Sequence, residues 1–261
     1  MMERLDADRP FYFGTNGSLF GIYHPVVDSA TRAVLLCPPF GQDQIRSHRL
    51  YRQLAHALVA IGVPVLRFDV YGSGDSAGDS IDISWDRCVA DAITAADELR
   101  RLSGCDHVLA FGARLGGSLA IAAAADAHFG SLIVWDPVLD GASYVARLDQ
   151  LQEDLRIDTR RFLRPRSVAS STGQWQGFMV SDVFRRQLCD LQLDPSSVPA
   201  RLIKSASSDT PTSGWGQFVA ADEAVTCIQA STPWEDLNRL EIAILSHELI
   251  QVVCNQWHQA I

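Results

Sequence analysis

Residues 107–120 read His-Val-Leu-Ala-Phe-Gly-Ala-Arg-Leu-Gly-Gly-Ser-Leu-Ala, and this stretch decides the fold. It begins with an apolar run typical of a buried strand and ends with the small apolar residues of a closely packed helix. Gly112 and Gly116 bracket Arg114, and glycine permits the tight turn that must join the strand to the helix. The stretch therefore predicts a strand, a sharp turn and a helix, with a cation at the apex.

Strands and helices alternate on both sides of this turn. Arg32–Cys37 and Val63–Val70 are apolar, β-rich runs, whereas residues 46–61 and 82–102 repeat apolar side chains at the helical period. The remaining predicted elements are a hairpin of Phe11–Phe13 and Ser18–Tyr23 that turns at Asn16-Gly17, a helix over Leu115–Ala127, strands at Ser131–Trp135, Ala200–Ser205 and Ala224–Ala230, and a closing helix over Leu240–Gln259. We expect an α/β fold with a doubly wound, mostly parallel, eight-stranded sheet.

Residues 137–195 interrupt the alternation. Two arginine-rich helical stretches, Tyr144–Arg156 and Val183–Leu191, lie within them. We expect a helical cap or lid inserted into a core formed by residues 1–136 and 196–261; the alternative is a pair of surface helices.

The composition indicates a globular chain with an acidic surface. Hydrophobic residues make up 47% of the 261 residues, and the formal net charge is −9. That charge argues against nucleic acid or an anionic membrane as a partner, since both require a basic surface. No apolar run reaches the roughly 18 residues of a membrane helix, and the N-terminus lacks the apolar core of a secretory signal. We therefore expect a cytoplasmic protein without a membrane span.

Metal and cofactor chemistry finds no support in the pattern of residues. No group of His, Cys, Asp and Glu has the spacing of metal ligands, and the Walker pattern is missing, so we expect neither a metal nor a cofactor. The six cysteines form no C-x-x-C pair and lie mostly in apolar stretches, which indicates buried, reduced thiols. They are Cys37, Cys88, Cys105, Cys189, Cys227 and Cys254.

The turn has the spacing of the G-x-S-x-G nucleophile elbow of α/β hydrolases, with Arg114 where the serine stands. Together with Cys37-Pro38-Pro39-Phe40-Gly41 and the stretch Leu66–Asp79, it resembles the α/β hydrolases associated with the exosortase protein-sorting system, in particular their second type. The resemblance covers most of the chain. It implies the α/β-hydrolase fold and hydrolase ancestry, and that group also carries Arg at the elbow.

The three roles of a serine hydrolase are poorly filled. A guanidinium stays protonated and cannot attack a carbonyl, and Ser118 lies one helical turn beyond the apex, where a helix-packing role is favoured. Asp209 follows the seventh strand, as the triad acid does, although a turn role fits it equally well. The stretch after the last strand holds no histidine; His247 comes later, inside a helical pattern.

Other groups at the strand ends could replace the serine. Cys37 ends the third strand and would be reactive with a lowered pKa, which Arg114 could supply; the alternative is a buried thiol. Asp136 follows the sixth strand and could act as a general base, whereas Asp69 is expected to anchor the glycine-rich loop that follows it.

Arg114 should meet an anion, because it adds a full positive charge to the positive end of a helix dipole. The partner is either a carboxylate- or phosphate-bearing ligand or an internal acid, namely Asp136, Asp209 or Glu235. The residues that we expect to line a binding pocket are Phe40, Gly41, Leu115, Trp135, Trp175, Phe178 and Trp234.

Three functions follow from these residues. The first is an enzyme that uses non-serine chemistry, as a lyase, cyclase or acyl-handling enzyme, on an acyl-type or anionic small molecule. The second is a non-catalytic relative that binds such a ligand, a carrier protein or another partner. The third is an esterase or thioesterase with a displaced nucleophile.

Overall fold

The structure, a computed structural model, describes residues 8–161, 164–168, 172–195, 200–206, 214–219, 225–229 and 233–259. Its strands are β1 (Arg9–Phe13), β2 (Leu19–His24), β3 (Arg32–Cys37), β4 (Val65–Asp69), β5 (His107–Ala113), β6 (Leu132–Trp135), β7 (Gln174–Trp175), β8 (Phe178–Met179), β9 (Ala200–Ser205) and β10 (Thr226–Ile228). Its α-helices are α1 (Gly41–Ala60), α2 (Trp85–Ser103), α3 (Leu115–Ala123), α4 (Gly141–Ile157), α5 (Asp182–Cys189) and α6 (His247–Gln259).

Eight strands form one sheet in the order β1-β2-β4-β3-β5-β6-β9-β10. The strands from β4 to β10 in this order pair in parallel, and β2 pairs antiparallel with both β1 and β4. Asn16 and Gly17 turn the first hairpin with φ angles of 56° and 67°. The predicted fold class, with its mostly parallel eight-stranded sheet, is confirmed.

Helices cover both faces of this sheet. Val34 and Leu36 of β3 pack on the face that α1 and α6 cover, whereas Ala33 and Leu35 pack on the opposite face, with α2 and α3. Parallel strands buried on both faces read as continuous apolar runs, which explains the sequence of β3. The carboxyl ends of β3, β5 and β6 meet at one edge, where open α/β sheets place their ligand sites.

The segment between β6 and β9 contains α4, the β7–β8 hairpin and α5. Side chains of Asp140 and Ser181 cap the two helices, accepting hydrogen bonds from the backbone N–H groups of Ser143 and Phe184. The inner faces of α4 and α5 pack into the same apolar core as α2 and α3. This segment corresponds to the predicted cap, 137–195, whose role as a lid stays a prediction.

Several predicted boundaries are wrong. Helix α1 begins at Gly41 and not at residue 46, and α3 ends at Ala123 and not at Ala127. The last predicted strand, Ala224–Ala230, is reduced to β10, with both of its end residues outside the described part of the chain. Helix ends are set by capping and tertiary contacts, which the apolar period does not encode.

Helix α6 begins at His247, whereas the sequence predicts a start at Leu240. Arg46 of α1 explains the difference, because it binds the backbone before α6 and so replaces helical hydrogen bonds. Its guanidinium donates to three carbonyls, those of Pro233, Trp234 and Ile242. The Arg46 carbonyl also accepts from the backbone N–H of Ile244 at 2.8 Å.

The expectation of buried thiols is only partly met. Cys37, Cys88 and Cys105 are buried, but Cys189 and Cys227 are exposed, because they lie on the outer face of α5 and on the edge strand β10. Within the described ranges, no helix combines the length and apolar character needed to cross a bilayer.

We predict that Arg46→Met lowers the free energy of unfolding by about 2–3 kcal/mol, because buried carbonyls lose their donor. Urea denaturation followed by circular dichroism measures the change. Arg49→Met, at an exposed position of the same helix, is the control and should leave the unfolding midpoint unchanged. Equal midpoints for the two variants would contradict the role of Arg46.

Candidate functional site

The turn at Arg114 is sharp and its backbone is strained. Arg114 adopts φ 51° and ψ −126°, a conformation rare for a residue with a side chain, and it caps α3. A Cβ atom on Gly112 would lie 2.2 Å from the Gly116 carbonyl oxygen, and one on Gly116 would lie 2.6 Å from that of Cys37. Only glycine fits at these two positions, so strand and helix approach closely enough to force the turn.

Tyr51 of α1 fixes the strand ends beside this turn. Its hydroxyl donates to the carbonyl of Cys37 at 3.0 Å and accepts from the backbone N–H of Ala113 at 2.9 Å. Burial raises the pKa of Tyr51 well above its ordinary value, so the hydroxyl keeps the proton that it donates. The geometry of the elbow therefore depends on Tyr51 and the two glycines, whatever residue stands at the apex.

The guanidinium of Arg114 is buried among carboxylates and rings. Its side chain is 4% exposed; Nη2 donates to Oε1 of Glu235 at 2.7 Å, and Nε donates to Oδ2 of Asp43 at 3.4 Å. The rings of Tyr144 and Trp234 lie 5.5 Å and 5.8 Å from its central carbon, within cation–π range. Glu235, one of the three acids predicted as partners, contacts Arg114, whereas Asp209 lies outside the described residues.

Glu235 bridges two arginines from different elements. Its second oxygen, Oε2, accepts from Nε of Arg147 on α4 at 2.7 Å. One carboxylate therefore connects the elbow to the segment between β6 and β9. With Asp43 added, two guanidiniums face two carboxyl groups, which is the pairing that a buried charge requires.

Burial and charge set the protonation of this cluster. Burial alone would lower the pKa of Arg114, but Asp43, Tyr144 and Glu235 outweigh it and raise the pKa, so the guanidinium stays protonated. Burial raises the pKa of Asp43, against the opposing attraction of Arg114. Burial therefore shifts Asp43 toward its protonated form.

Asp136 lies buried beside the elbow with three donors on its carboxylate. Oδ1 accepts from the backbone N–H of Ser205 at 2.9 Å, and Oδ2 accepts from the hydroxyl of Ser205 at 2.6 Å and from Nε1 of Trp234 at 2.9 Å. These bonds hold the end of β6 to β9 and to the segment before α6.

Ser118 and Cys37 are buried within the core. The Ser118 hydroxyl donates to the carbonyls of Val138 and Arg114, so it binds backbone one turn beyond the apex. Burial raises the pKa of the Cys37 thiol, which opposes the thiolate that a nucleophile needs.

The other predicted triad residues do not meet Arg114 in the described structure. His247 is exposed at the first position of α6. Asp209 lies outside the described residues. Asp69 accepts from Nε2 of Gln44 at 3.0 Å and from the backbone N–H of Asp75 at 3.1 Å, and it thereby holds the loop that follows β4.

The predicted pocket residues fall into two packed clusters. Phe40 lies against three rings of the segment between β6 and β9, those of Trp175, Phe178 and Phe184, at centroid distances of 6.4, 6.3 and 5.0 Å. Trp135 and Trp234 stack at 4.7 Å in the core on the other side of the sheet. Leu115 and Gly41 are buried, with Gly41 beneath the Phe178 ring. Among the described residues, these two clusters therefore belong to the cores on opposite faces of the sheet, and their convergence on one pocket stays a prediction.

A group of possible metal ligands lies away from Arg114, near the end of β2. It consists of Asp8, His24 and His56, and its ligand atoms lie within 4.8 Å of one another. Arg67 donates to Nε2 of His24 at 3.0 Å, so Nδ1 carries the proton and donates to Asp8 at 2.7 Å. Burial and Arg67 lower the pKa of His24 to about 4. A protonated Nδ1 has no lone pair for a metal, so these residues do not fit one.

A family comparison identifies the lineage of this turn. Residues 31–170, more than half of the chain, match the family of serine aminopeptidase, S33. The chain belongs to this family. A comparison with curated protein sequences gives no significant match.

Solved structures share the fold of this S33 family member. Est1E from Butyrivibrio proteoclasticus is 14% identical, with 96% of this chain and 98% of that chain covered and a TM-score of 0.64. A thermostable carboxyl esterase from Bacillus coagulans is 15% identical (97% and 99% covered, TM-score 0.64), and mouse alpha/beta hydrolase domain-containing protein 10 is 16% identical (97% and 100%, 0.64). At such identities the likeness shows the α/β-hydrolase fold alone.

Sequence analysis missed three residues of this S33 site: Asp43, Tyr144 and Arg147. Asp43 reads as an acidic residue in the first turn of a helix, where it would ordinarily complement the dipole. Tyr144 and Arg147 are three residues apart and share one face of α4, a spacing that could have paired them. No local signal relates either residue to the elbow.

We predict that Glu235→Gln lowers the free energy of unfolding by about 3 kcal/mol, because two arginines lose the carboxylate that neutralises them. Chemical denaturation at neutral pH measures the loss. Glu153→Gln removes an exposed carboxylate paired with Arg156 and should leave the midpoint unchanged. The bridging role of Glu235 is refuted when the two variants unfold at the same midpoint.

The raised pKa of Asp43 predicts how the stability of the protein changes with pH. A carboxyl group with a raised pKa in the folded state contributes most stability below its unfolded pKa, near 3.8, and loses it as the pH rises through the folded value. The stability difference between wild type and Asp43→Asn should therefore decrease with rising pH. Hydrogen bonds from Ser143 lower the pKa of Asp140, so Asp140→Asn should give the opposite slope. Slopes of the same sign would contradict the assignment.

Proposed function

We propose that this chain is a non-catalytic member of the S33 hydrolase family that binds a small molecule carrying a carboxylate or phosphate group. The observation that carries the non-catalytic part of the proposal is the guanidinium of Arg114, which stands at the elbow and lies 2.7 Å from Glu235. The guanidinium at the apex is paired with an acid of the same chain, and a guanidinium cannot act as a nucleophile toward a substrate.

The neighbouring groups support a loss of serine chemistry. The hydroxyl of Ser118 donates to backbone carbonyls, which leaves it without a base that could take its proton. Asp136, at the end of β6, binds Ser205 and Trp234. A general base must be within reach of a substrate proton, and this buried carboxylate accepts hydrogen bonds from core residues instead.

We propose further that the chain belongs to the exosortase-associated hydrolases, the narrower group that it resembles through Arg114 and the flanking motifs. We take the cytoplasm as its compartment, in keeping with the free thiols at Cys189 and Cys227. In this proposal the hydrolase scaffold is retained and its reaction is not, as fold and function are separable.

A second candidate function is acid–base chemistry without a covalent step, and Asp43 favours it. Its carboxyl group is buried, has a raised pKa and lies 3.4 Å from Arg114. A carboxyl group tuned toward neutrality beside a fixed cation can protonate a bound anion or accept its proton. Such an enzyme would require its substrate to displace Glu235 from Arg114.

A fluorophosphonate probe and p-nitrophenyl butyrate test the non-catalytic function. We expect no labelled serine, and no ester turnover above that of the Ser118→Ala variant. A catalytic esterase of the same fold serves as the positive control for both reagents.

Two results would overturn the proposal in different ways. Labelling of one serine, abolished by its replacement with alanine, would establish a displaced nucleophile. Turnover without labelling that Asp43→Asn reduces by about 100-fold or more would establish the acid–base function instead.

A further inference from the structure

A polar groove opens on the outer side of the segment that seals the elbow. Trp234 and Glu235 face Arg114. One wall of the groove is formed by other residues of the same segment, namely Leu237, Asn238, Leu240 and Glu241. The end of α4 and the turn after it form the other wall, and Gln42 of α1 and the turn of the β7–β8 hairpin complete it. Its volume of about 700 Å³ suits a small organic ligand.

The groove is locally positive although the chain is acidic. Arg160, Arg161 and Arg166 line it, against the carboxylates of Asp158 and Glu241, which leaves one surplus positive charge. The formal net charge of the chain is −9, so this surplus contrasts with the rest of the molecule. A positive groove on an acidic protein favours a small anion and disfavours a polyanion such as nucleic acid.

The arginines are held in place by the groove itself. Arg160 donates to Oδ1 of Asp158 at 3.0 Å and to Oδ1 of Asn238 at 2.6 Å. Arg161 donates to the Leu237 carbonyl, which ties the two walls together. Guanidiniums oriented by such bonds lose less conformational freedom when a ligand binds.

The backbone that carries the third arginine is anchored as well. The N–H of Arg166 donates to the carbonyl of Arg156 at 3.0 Å, and the carbonyl of Arg166 accepts from Nη1 of Arg156 at 2.8 Å. The Arg166 side chain is exposed and lines the groove.

One carboxylate occupies the place where a ligand would bind. Glu241 pairs with Arg161 at 2.8 Å, but its side chain is 85% exposed. An exposed ion pair contributes little to stability, so Glu241 can turn into solvent when a stronger acceptor arrives. Asp158, by contrast, is largely buried and stays with Arg160.

We propose that this groove binds the oxyanion of a small molecule, a phosphate or a carboxylate, through the guanidiniums of Arg160, Arg161 and Arg166. Planar guanidiniums bind such groups in bidentate fashion. The amide side chains of Gln42, Gln176 and Asn238 line the same groove and suit polar groups on the rest of the ligand. This inference rests on the ligand class of the proposed function, and it adds the place on the molecule where that ligand binds.

Isothermal titration calorimetry tests the site with sodium phosphate, pyrophosphate and citrate, at constant ionic strength set by sodium chloride. We expect the wild type to bind at least one of these anions. Binding of phosphate or pyrophosphate would indicate phosphate recognition, and binding of citrate would indicate carboxylate recognition. The double variant Arg160→Gln/Arg166→Gln should weaken binding about tenfold or more. Glu241→Gln should tighten it, because the competing carboxylate is gone.

Arg101→Gln is the matched control, since Arg101 is exposed and paired with Glu98 but lies on α2. It should bind as the wild type does, and all variants should keep the wild-type unfolding temperature. No heat with any of the three anions, or equal affinity in wild type and double variant, would overturn the site. The outcomes are separable. Serine labelling would overturn the non-catalytic function alone, and equal affinity in wild type and double variant would overturn the groove alone. No heat with any anion would overturn both the groove and the ligand class of the proposed function.

Discussion

The ion pair between Arg114 and Glu235 constrains the whole site. Arg114 comes from the turn after β5, Glu235 from the segment before α6, and Arg147 from α4, so three distant parts of the chain meet at one carboxylate. A charge removed from water is tolerated only with such partners, since an unpaired buried ion costs several kcal/mol. The segment that carries Glu235 is therefore held against the turn at Arg114.

The turn at Arg114 is defined by residues other than the one at its apex. Gly112 and Gly116 permit the close approach of β5, α3 and the loop after β3, and Tyr51 bridges the ends of β3 and β5. None of these contacts involves the side chain at the apex. The shape of the turn thus does not depend on the side chain at its apex, and a long cation can stand there if acids surround it.

Aromatic side chains pack near the edge of the sheet. Phe40 lies against the β7–β8 hairpin and α5, and Trp234 lies against Trp135. The arginine-lined groove lies on the other side of the same segment, at Arg160 and Arg161.

The sequence by itself determined the α/β class, the elbow and its cation, because alternating apolar periods and the glycine spacing are local signals. It also indicated Glu235 as one of three candidate partners of Arg114, since a cation at a helix N-terminus requires an anion. Only the tertiary structure showed that Glu235 contacts Arg114, that Asp43 and Arg147 join this pair, and that Arg46 binds the backbone before α6. These contacts join residues far apart in the chain, and their energy depends on burial and distance, which no local pattern encodes.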